Sequence, residues 1–270
     1  MNKPLTYLLS LTFLFLFSGS SVVFGIDPII EKKIFDAGEK GDYKTVLKLL
    51  IPLAEKGDPD AQTNLGLFYE KVKDYRGAFK LYQLATKKGN TLGTYNLGNM
   101  YANGKGVKRN YKEAVKLLKL AAEKGLPSAF YNLGAHYRQG QGVEQDYKTA
   151  IEFYWVAAKL GHVSAKQNLG VMYAKGMGVK RDYVIGYMLF DIADSEGHAS
   201  SIIARNQIAL KMLPHQIEKA KEKAKKWKKY TWDELKESAK GLGLNWKPKD
   251  YSLVWNPNED GTRIYEGNYR

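Results

Sequence analysis

The sequence contains no cysteine among its 270 residues, and it also lacks the short motifs of several common enzyme classes. Without cysteine, a disulfide framework, an iron–sulfur cluster, thiol catalysis and any zinc site with a Cys ligand are excluded. No G-x-S-x-G, S-x-x-K or H-E-x-x-H motif occurs, so the local signatures of serine hydrolases, penicillin-interacting enzymes and zinc peptidases are absent. We therefore expect no catalytic residue, no cofactor and no metal site.

The first 25 residues have the order of a secretory signal. Lys3 precedes an apolar run over 5–17, and small polar residues follow at 18–21. We predict cleavage after Gly25, which makes the protein exported and either periplasmic or secreted. The alternative is an uncleaved membrane anchor at the N-terminus, although an apolar run of about 13 residues is shorter than the roughly 20 that a spanning helix needs.

The middle of the chain repeats itself. The pattern Gly-x-x-x-x-x-x-Asn-Leu-Gly starts at Gly57, Gly89, Gly125 and Gly161. A Gly-x-Gly-Val loop follows in the last three copies, and an Asp or Asn precedes a Tyr in all four. These elements predict a repeat region over 26–229, with partial copies at both ends. The full copies are placed near 57–88, 89–124, 125–160 and 161–196.

Within each copy the apolar spacing predicts a helix, a loop and a second helix. In the third copy Ala129, Leu133 and Tyr137 share one face of the first helix, because they are spaced by four residues. Gly134 lies inside this helix at a cost of about 1 kcal/mol against Ala, so its recurrence at 66, 98 and 170 indicates close helix contact. Since two such helices cannot bury their apolar faces alone, we predict an all-α solenoid of stacked pairs.

The elements A-x-x-x-L-G-x-x-Y, G-x-G-V, D-Y-x-x-A and A-A-x-x-G resemble the Sel-one-like repeat, a relative of the tetratricopeptide repeat, over about residues 29–227. The resemblance implies a right-handed superhelical solenoid of antiparallel helix pairs. It also implies a non-enzymatic scaffold or adaptor that holds protein or peptide partners on its concave face. The first copy departs from the pattern because it lacks the loop, and the region after Lys228 has no counterpart in the repeat.

The candidate binding residues include an asparagine column, Asn64, Asn96, Asn132 and Asn168, which precedes the Leu-Gly of each copy. Related tetratricopeptide arrays carry a concave-face asparagine ladder at the matching position, which implies peptide contact here. An Asn amide holds a donor and an acceptor, so it can pair with both polar groups of an extended peptide. The alternative is that each Asn bonds a neighbouring helix end and tunes the curvature of the solenoid.

Side-chain pockets must supplement the asparagine column, because each hydrogen bond contributes only about 0.5–1.5 kcal/mol. We expect their walls one residue before and three residues after each Asn: Thr63 and Leu67, Tyr95 and Asn99, Tyr131 and Ala135, Gln167 and Val171. The candidate binding row is therefore the asparagine column together with Tyr95, Asn99 and Tyr131.

Positive charge is in excess, since 42 Lys and Arg face 28 Asp and Glu. Much of it lies in residues 214–229, which predict an amphipathic basic helix. This helix either caps the solenoid or binds an anionic surface, and the second possibility describes an envelope-surface or cell-wall accessory protein. We expect no nucleic-acid partner, because an exported protein seldom meets nucleic acid.

Residues 230–270 predict a short helix and an aromatic tail. Thr231 and Glu234 have the spacing of a capping box, so the helix should run to Lys240 and stop at Gly241. Five aromatic residues follow, including Trp246 and Trp255, and one hypothesis is that this tail docks into the groove of its own or another copy.

Overall fold

The computed structural model describes residues 27–240, and all of its regular structure in that range is helical. The predicted all-α fold of consecutive helix pairs is confirmed. The predicted signal segment 1–25 and the aromatic tail 241–270 lie outside the described residues and stay predictions. The helices are α1 (Pro28–Glu39), α2 (Tyr43–Glu55), α3 (Pro59–Lys71), α4 (Tyr75–Lys87), α5 (Thr91–Asn103), α6 (Tyr111–Glu123), α7 (Pro127–Gln139), α8 (Tyr147–Lys159), α9 (Val163–Lys175), α10 (Tyr183–Ser195), α11 (Ser200–Ala209), α12 (Pro214–Lys225) and α13 (Trp232–Lys240).

The recurring Asp or Asn before a Tyr is the N-cap of each second helix. Its carboxylate or amide oxygen accepts a hydrogen bond from a backbone N–H in the first turn, as at Asp74 with the Gly77 N–H (2.9 Å) and at Asp182 with the Ile185 N–H (3.0 Å). A first-turn N–H has no partner inside its own helix, so these caps fix where the second helices begin. Gly140 ends α7 in the left-handed conformation, with φ of 67°, which favours glycine.

The chain divides into two compact units, and the boundary between Leu117 and Leu118 falls inside α6. In unit 1 each helix packs on the next from α1 to α5, and α3 also packs on α5. One cluster of buried residues includes Ile34 and Leu50, and a second is built around Tyr82 and Met100. The first helices of neighbouring copies therefore lie side by side in this unit.

In unit 2 each helix packs on the next from α7 to α11, and α12 packs on α10. The close helix contact predicted at the glycine column is confirmed here. A Cβ placed on Gly134 would lie 2.7 Å from Cδ1 of Tyr154, and one on Gly170 would lie 2.6 Å from Cε1 of Phe190. Glycine therefore allows an aromatic ring of the second helix to lie directly on the first.

The basic helix is shorter than the predicted 214–229, because α12 ends at Lys225. The residues that follow pack on unit 2 at the end of α8, where the Tyr230 N–H donates to the Lys159 carbonyl at 2.9 Å. The next helix, α13, begins with reciprocal hydrogen bonds between Thr231 and Glu234. Residues 226–235 are called the return segment below. No helix within 27–240 has the length and apolar character needed to cross a membrane.

Candidate functional site

In unit 1 the candidate binding row lies on the first helices α3 and α5. Asn64 is half-buried, whereas Asn96 is only 8% exposed and its side chain interacts with the hydroxyl of Tyr82. Burial and the nearby Glu70 carboxylate raise the pKa of that hydroxyl. Asn96 therefore presents little of its amide to an external peptide, while Asn64 presents more.

The predicted pocket walls of unit 1 differ in their exposure. Tyr95 and Asn99 are both half-buried on α5. Thr63 is only 2% exposed, and its hydroxyl donates to Oδ1 of Asn90 at 3.0 Å. It joins neighbouring copies and does not offer a pocket wall.

In unit 2 the row lies on α7 and α9, where Tyr131, Asn132 and Asn168 are half-buried. Nδ2 of Asn168 donates to the Tyr131 hydroxyl across 3.4 Å, a long hydrogen bond between neighbouring copies. The Tyr131 ring is stacked on His162, with centroids 4.4 Å apart. Burial lowers the pKa of His162 to about 4, so the ring it presents to Tyr131 is neutral at pH 7.

Asn96 and Asn168 thus interact with tyrosine hydroxyls of the protein, whereas the structural alternative for the asparagine column predicts a bond to a neighbouring helix end. Peptide contact by the column stays a prediction. Half-exposed side chains remain in both units, and they are Asn64, Tyr95, Asn99, Tyr131, Asn132 and Asn168. These are the residues through which a partner could reach the first helices.

Two buried lysines in unit 2 were not singled out from the sequence. Lys166 on α9 is 0% exposed and forms a salt bridge with Glu196, which also pairs with Lys229 at 3.0 Å. Lys159, at the end of α8, is 7% exposed, and its Nζ lies 4.1 Å from the centroid of the Trp227 ring. Such burial is rare for lysine unless it is paired. The sequence does contain one sign of this burial. Lys166 lies two residues before the Asn of its copy, and the equivalent position in the other copies holds an uncharged residue, Gln62, Thr94 or Phe130.

The pH dependence of the free energy of unfolding should reflect the lowered pKa of Lys159. Burial, assisted by the charge of Lys166, lowers the pKa of Lys159 to about 8 from an ordinary value of 10.5. Above pH 8 the unfolded chain therefore binds more protons than the folded protein, so stability rises with pH. We expect the free energy of unfolding to rise by about 1–2 kcal/mol between pH 8 and about 9.5, measured by urea denaturation.

Lys166 shares in this response, because burial also lowers its pKa against the opposing effect of Glu196, and Lys229 lies nearby. The control therefore compares the rise in the free energy of unfolding between the wild type and a variant without Lys159. Lys159→Met should show a smaller rise over the same pH range than the wild type. An equal rise in both would contradict the assignment to Lys159.

Within residues 27–240, no group of three or more His, Asp and Glu side chains is arranged to hold a metal ion. The half-exposed side chains of the candidate binding row are amides and phenols. Amides and phenols donate and accept hydrogen bonds, and the phenol rings also offer apolar area.

Comparison with known proteins gives a consistent pattern. The Sel1 repeat model matches residues 59–90, 91–126, 127–162 and 163–198, just over half of the chain. The crystal structure of a Sel1 repeat protein from Oxalobacter formigenes is 28% identical, with a TM-score of 0.62, and the alignment covers 66% of this chain and 74% of that one. A protective antigen present in uropathogenic Escherichia coli strains, which displays an SLR fold, is 26% identical with a TM-score of 0.50, covering 81% of this chain and 56% of that one. The curated proteins contain no match.

Proposed function

The chain belongs to the Sel1 repeat family, and we propose that it is an exported scaffold that binds a protein or peptide through its candidate binding row. Sel1 repeat proteins are generally protein-interaction scaffolds, and their solenoid is typically non-enzymatic. On this proposal the partner is a segment of extended chain that contacts amide and phenol groups of successive first helices. Its place of action is the cell envelope, in accordance with the predicted signal segment.

The observation that carries the proposal is the half-exposure of adjacent amide and phenol groups on the first helices. Tyr95 and Asn99 lie one helical turn apart on α5, and Tyr131 and Asn132 are neighbours on α7. Tyrosine contributes a large apolar ring with one polar group, and asparagine contributes both a donor and an acceptor. This combination suits recognition of a peptide backbone with its side chains.

A site-specific photocrosslinker tests the proposed surface. A photoreactive phenylalanine replaces Tyr95 or Tyr131 in the candidate binding row, and the matched control carries it at Tyr183, a half-buried tyrosine at the start of α10. In the cell that produces the protein, we expect one partner of defined mass to crosslink from positions 95 and 131 but not from 183. Crosslinking from 183 alone would contradict the proposed surface.

A second candidate function rests on the exposed lysines of α12. Lys219, Lys221 and Lys225 are exposed, and Lys221 pairs with Glu218 at 3.0 Å. On this alternative the protein is an envelope-surface or cell-wall accessory that binds an anionic partner through residues 214–229. The two candidates differ in their response to salt, because exposed charges are screened at high ionic strength whereas amide contacts are not.

The salt test uses vesicles that contain anionic phosphatidylglycerol, with neutral phosphatidylcholine vesicles as control. If α12 provides the binding surface, the protein should co-sediment with the anionic vesicles in low salt and be released as the Debye length falls below about 8 Å. Absence of binding to anionic vesicles in low salt would exclude a lipid partner for this helix.

A further inference from the structure

The return segment lies across the turns that join successive copies in unit 2. Trp227 contacts the copy that contains α8, with its ring centroid 5.9 Å from that of Trp155. Trp232 contacts α7, the first helix of the same copy, with its ring centroid 5.4 Å from that of Phe130. As the chain proceeds from 227 to 232, it therefore runs from the second helix of this copy to the first, opposite to the order of these helices in the sequence.

Two equivalent glycines form the floor beneath this segment. Gly125 and Gly161 open successive copies, and both have positive φ, at 82° and 92°. A Cβ on Gly125 would lie 2.3 Å from Cγ of Trp232, whereas one on Gly161 would lie 3.7 Å from Cδ of Lys229. Three residues of extended chain span about 10 Å, which is close to the spacing of packed helices. The segment thus passes from the turn that opens one copy, at Gly161, to the turn that opens the copy before it, at Gly125.

The walls of the same surface supply polar contacts. The Lys159 carbonyl, at the end of α8, accepts a hydrogen bond from the Tyr230 N–H at 2.9 Å. Nζ of Lys159 lies 4.1 Å from the Trp227 ring centroid and 5.3 Å from that of Tyr230. Glu196 pairs with Lys229 of the segment at 3.0 Å. The surface therefore engages backbone, aromatic rings and a basic group at once, as a peptide site does.

The return segment is less buried than the helices beneath it, apart from Leu235, which is 3% exposed. Residues 227–231 have no helix of their own, and the rings of Trp227, Tyr230 and Trp232 are only half-buried. By contrast, Phe130 and Trp155 beneath them are buried. Segments with few buried contacts open more readily than the core on which they lie.

We propose that this surface of unit 2 is a binding site for a partner peptide of the pattern Trp-x-Lys-Tyr-x-Trp, which the return segment of the same chain occupies in this structure. The segment acts as a displaceable intramolecular ligand, and a partner protein that carries the same spacing competes with it. This site uses neither the asparagines nor the tyrosines of the candidate binding row, so it is a second interaction surface.

The test uses the full chain and a fluorescent synthetic peptide that covers residues 226–237. A tethered ligand has an effective concentration in the millimolar range, so the wild-type chain should bind the peptide weakly. The variant that carries Trp227→Ala and Trp232→Ala should bind it at least about tenfold more tightly, because its own segment competes poorly. A peptide with both tryptophans replaced by Ala should bind neither protein. Equal affinity of variant and wild type for the unaltered peptide would overturn the proposal.

A matched control replaces two exposed leucines outside the segment, Leu210→Ala and Leu213→Ala, and should leave peptide affinity at the wild-type level. Hydrogen exchange on the wild-type chain provides a second readout that does not depend on a variant. Excess peptide should accelerate exchange of the Tyr230 amide and leave the amides of α8 unchanged. Unchanged exchange at Tyr230 under saturating peptide would overturn the proposal, as would a dimer in which the segment occupies another copy.

Discussion

Gly134→Val should lower the free energy of unfolding by about 3 kcal/mol, because the new side chain collides with the Tyr154 ring. A Cβ alone would already lie 2.7 Å from Cδ1 and 2.8 Å from Cε1 of that ring. Tyr154 is fully buried and cannot turn away without displacing its neighbours in the core. The change is measured by urea denaturation followed by circular dichroism.

The control for this prediction is Ala135→Val, which adds the same two methyl groups to an existing Cβ one residue further along α7, at a half-buried position. It should cost much less, because it does not face Tyr154. A double-mutant cycle of Gly134→Val and Tyr154→Ala tests whether the two side chains compete for the same volume. Tyr154→Ala alone should cost about 3–5 kcal/mol through the cavity it leaves, and the added Val should then fill part of that space. Additive losses in the double variant would show that the two residues do not compete for the same volume.

Glu196→Gln should lower the free energy of unfolding by about 3 kcal/mol or more, because it leaves a buried cation without its counterion. The partner is Lys166, whose side chain is 0% exposed, whereas that of Glu196 is 16% exposed. The lysine must then lose its proton or remain charged at high cost within the protein. The loss should be largest near neutral pH, where the lysine is otherwise charged.

Lys166→Met distinguishes the cost of an unpaired charge from the value of the salt bridge. Removing the buried cation should be nearly neutral or stabilising, because the cost of burying that cation is removed and Glu196 keeps its pair with Lys229. The matched control is Glu218→Gln, which breaks the exposed pair with Lys221 and should cause no measurable change. A loss in Lys166→Met as large as that in Glu196→Gln would contradict the desolvation argument.

The sequence by itself determined the helix pairs and their limits. These limits depend on local features, namely the Asp and Asn caps, the left-handed glycines and the apolar spacing. Each acts over a few residues and does not depend on residues far away in the sequence. Asp74 caps α4 and Gly140 ends α7 in this way. The glycine column also predicted the close contacts between helices, because a glycine that recurs inside a helix indicates that a neighbouring group occupies the space of a side chain.

Only the tertiary structure decided which polar side chains are accessible and where the C-terminal part of the chain lies. Asn64 and Asn96 hold the same place in the repeat, yet Asn96 is buried against Tyr82 because contacts across copies differ from one to the next. The burial of Lys166 depends on Glu196, 30 residues away. The basic helix ends at Lys225. The return segment then packs on unit 2, where Trp227 contacts Lys159 and Trp232 lies against the turn at Gly125. Burial and ion pairing are properties of residues brought together by folding, and repeat spacing alone does not encode them.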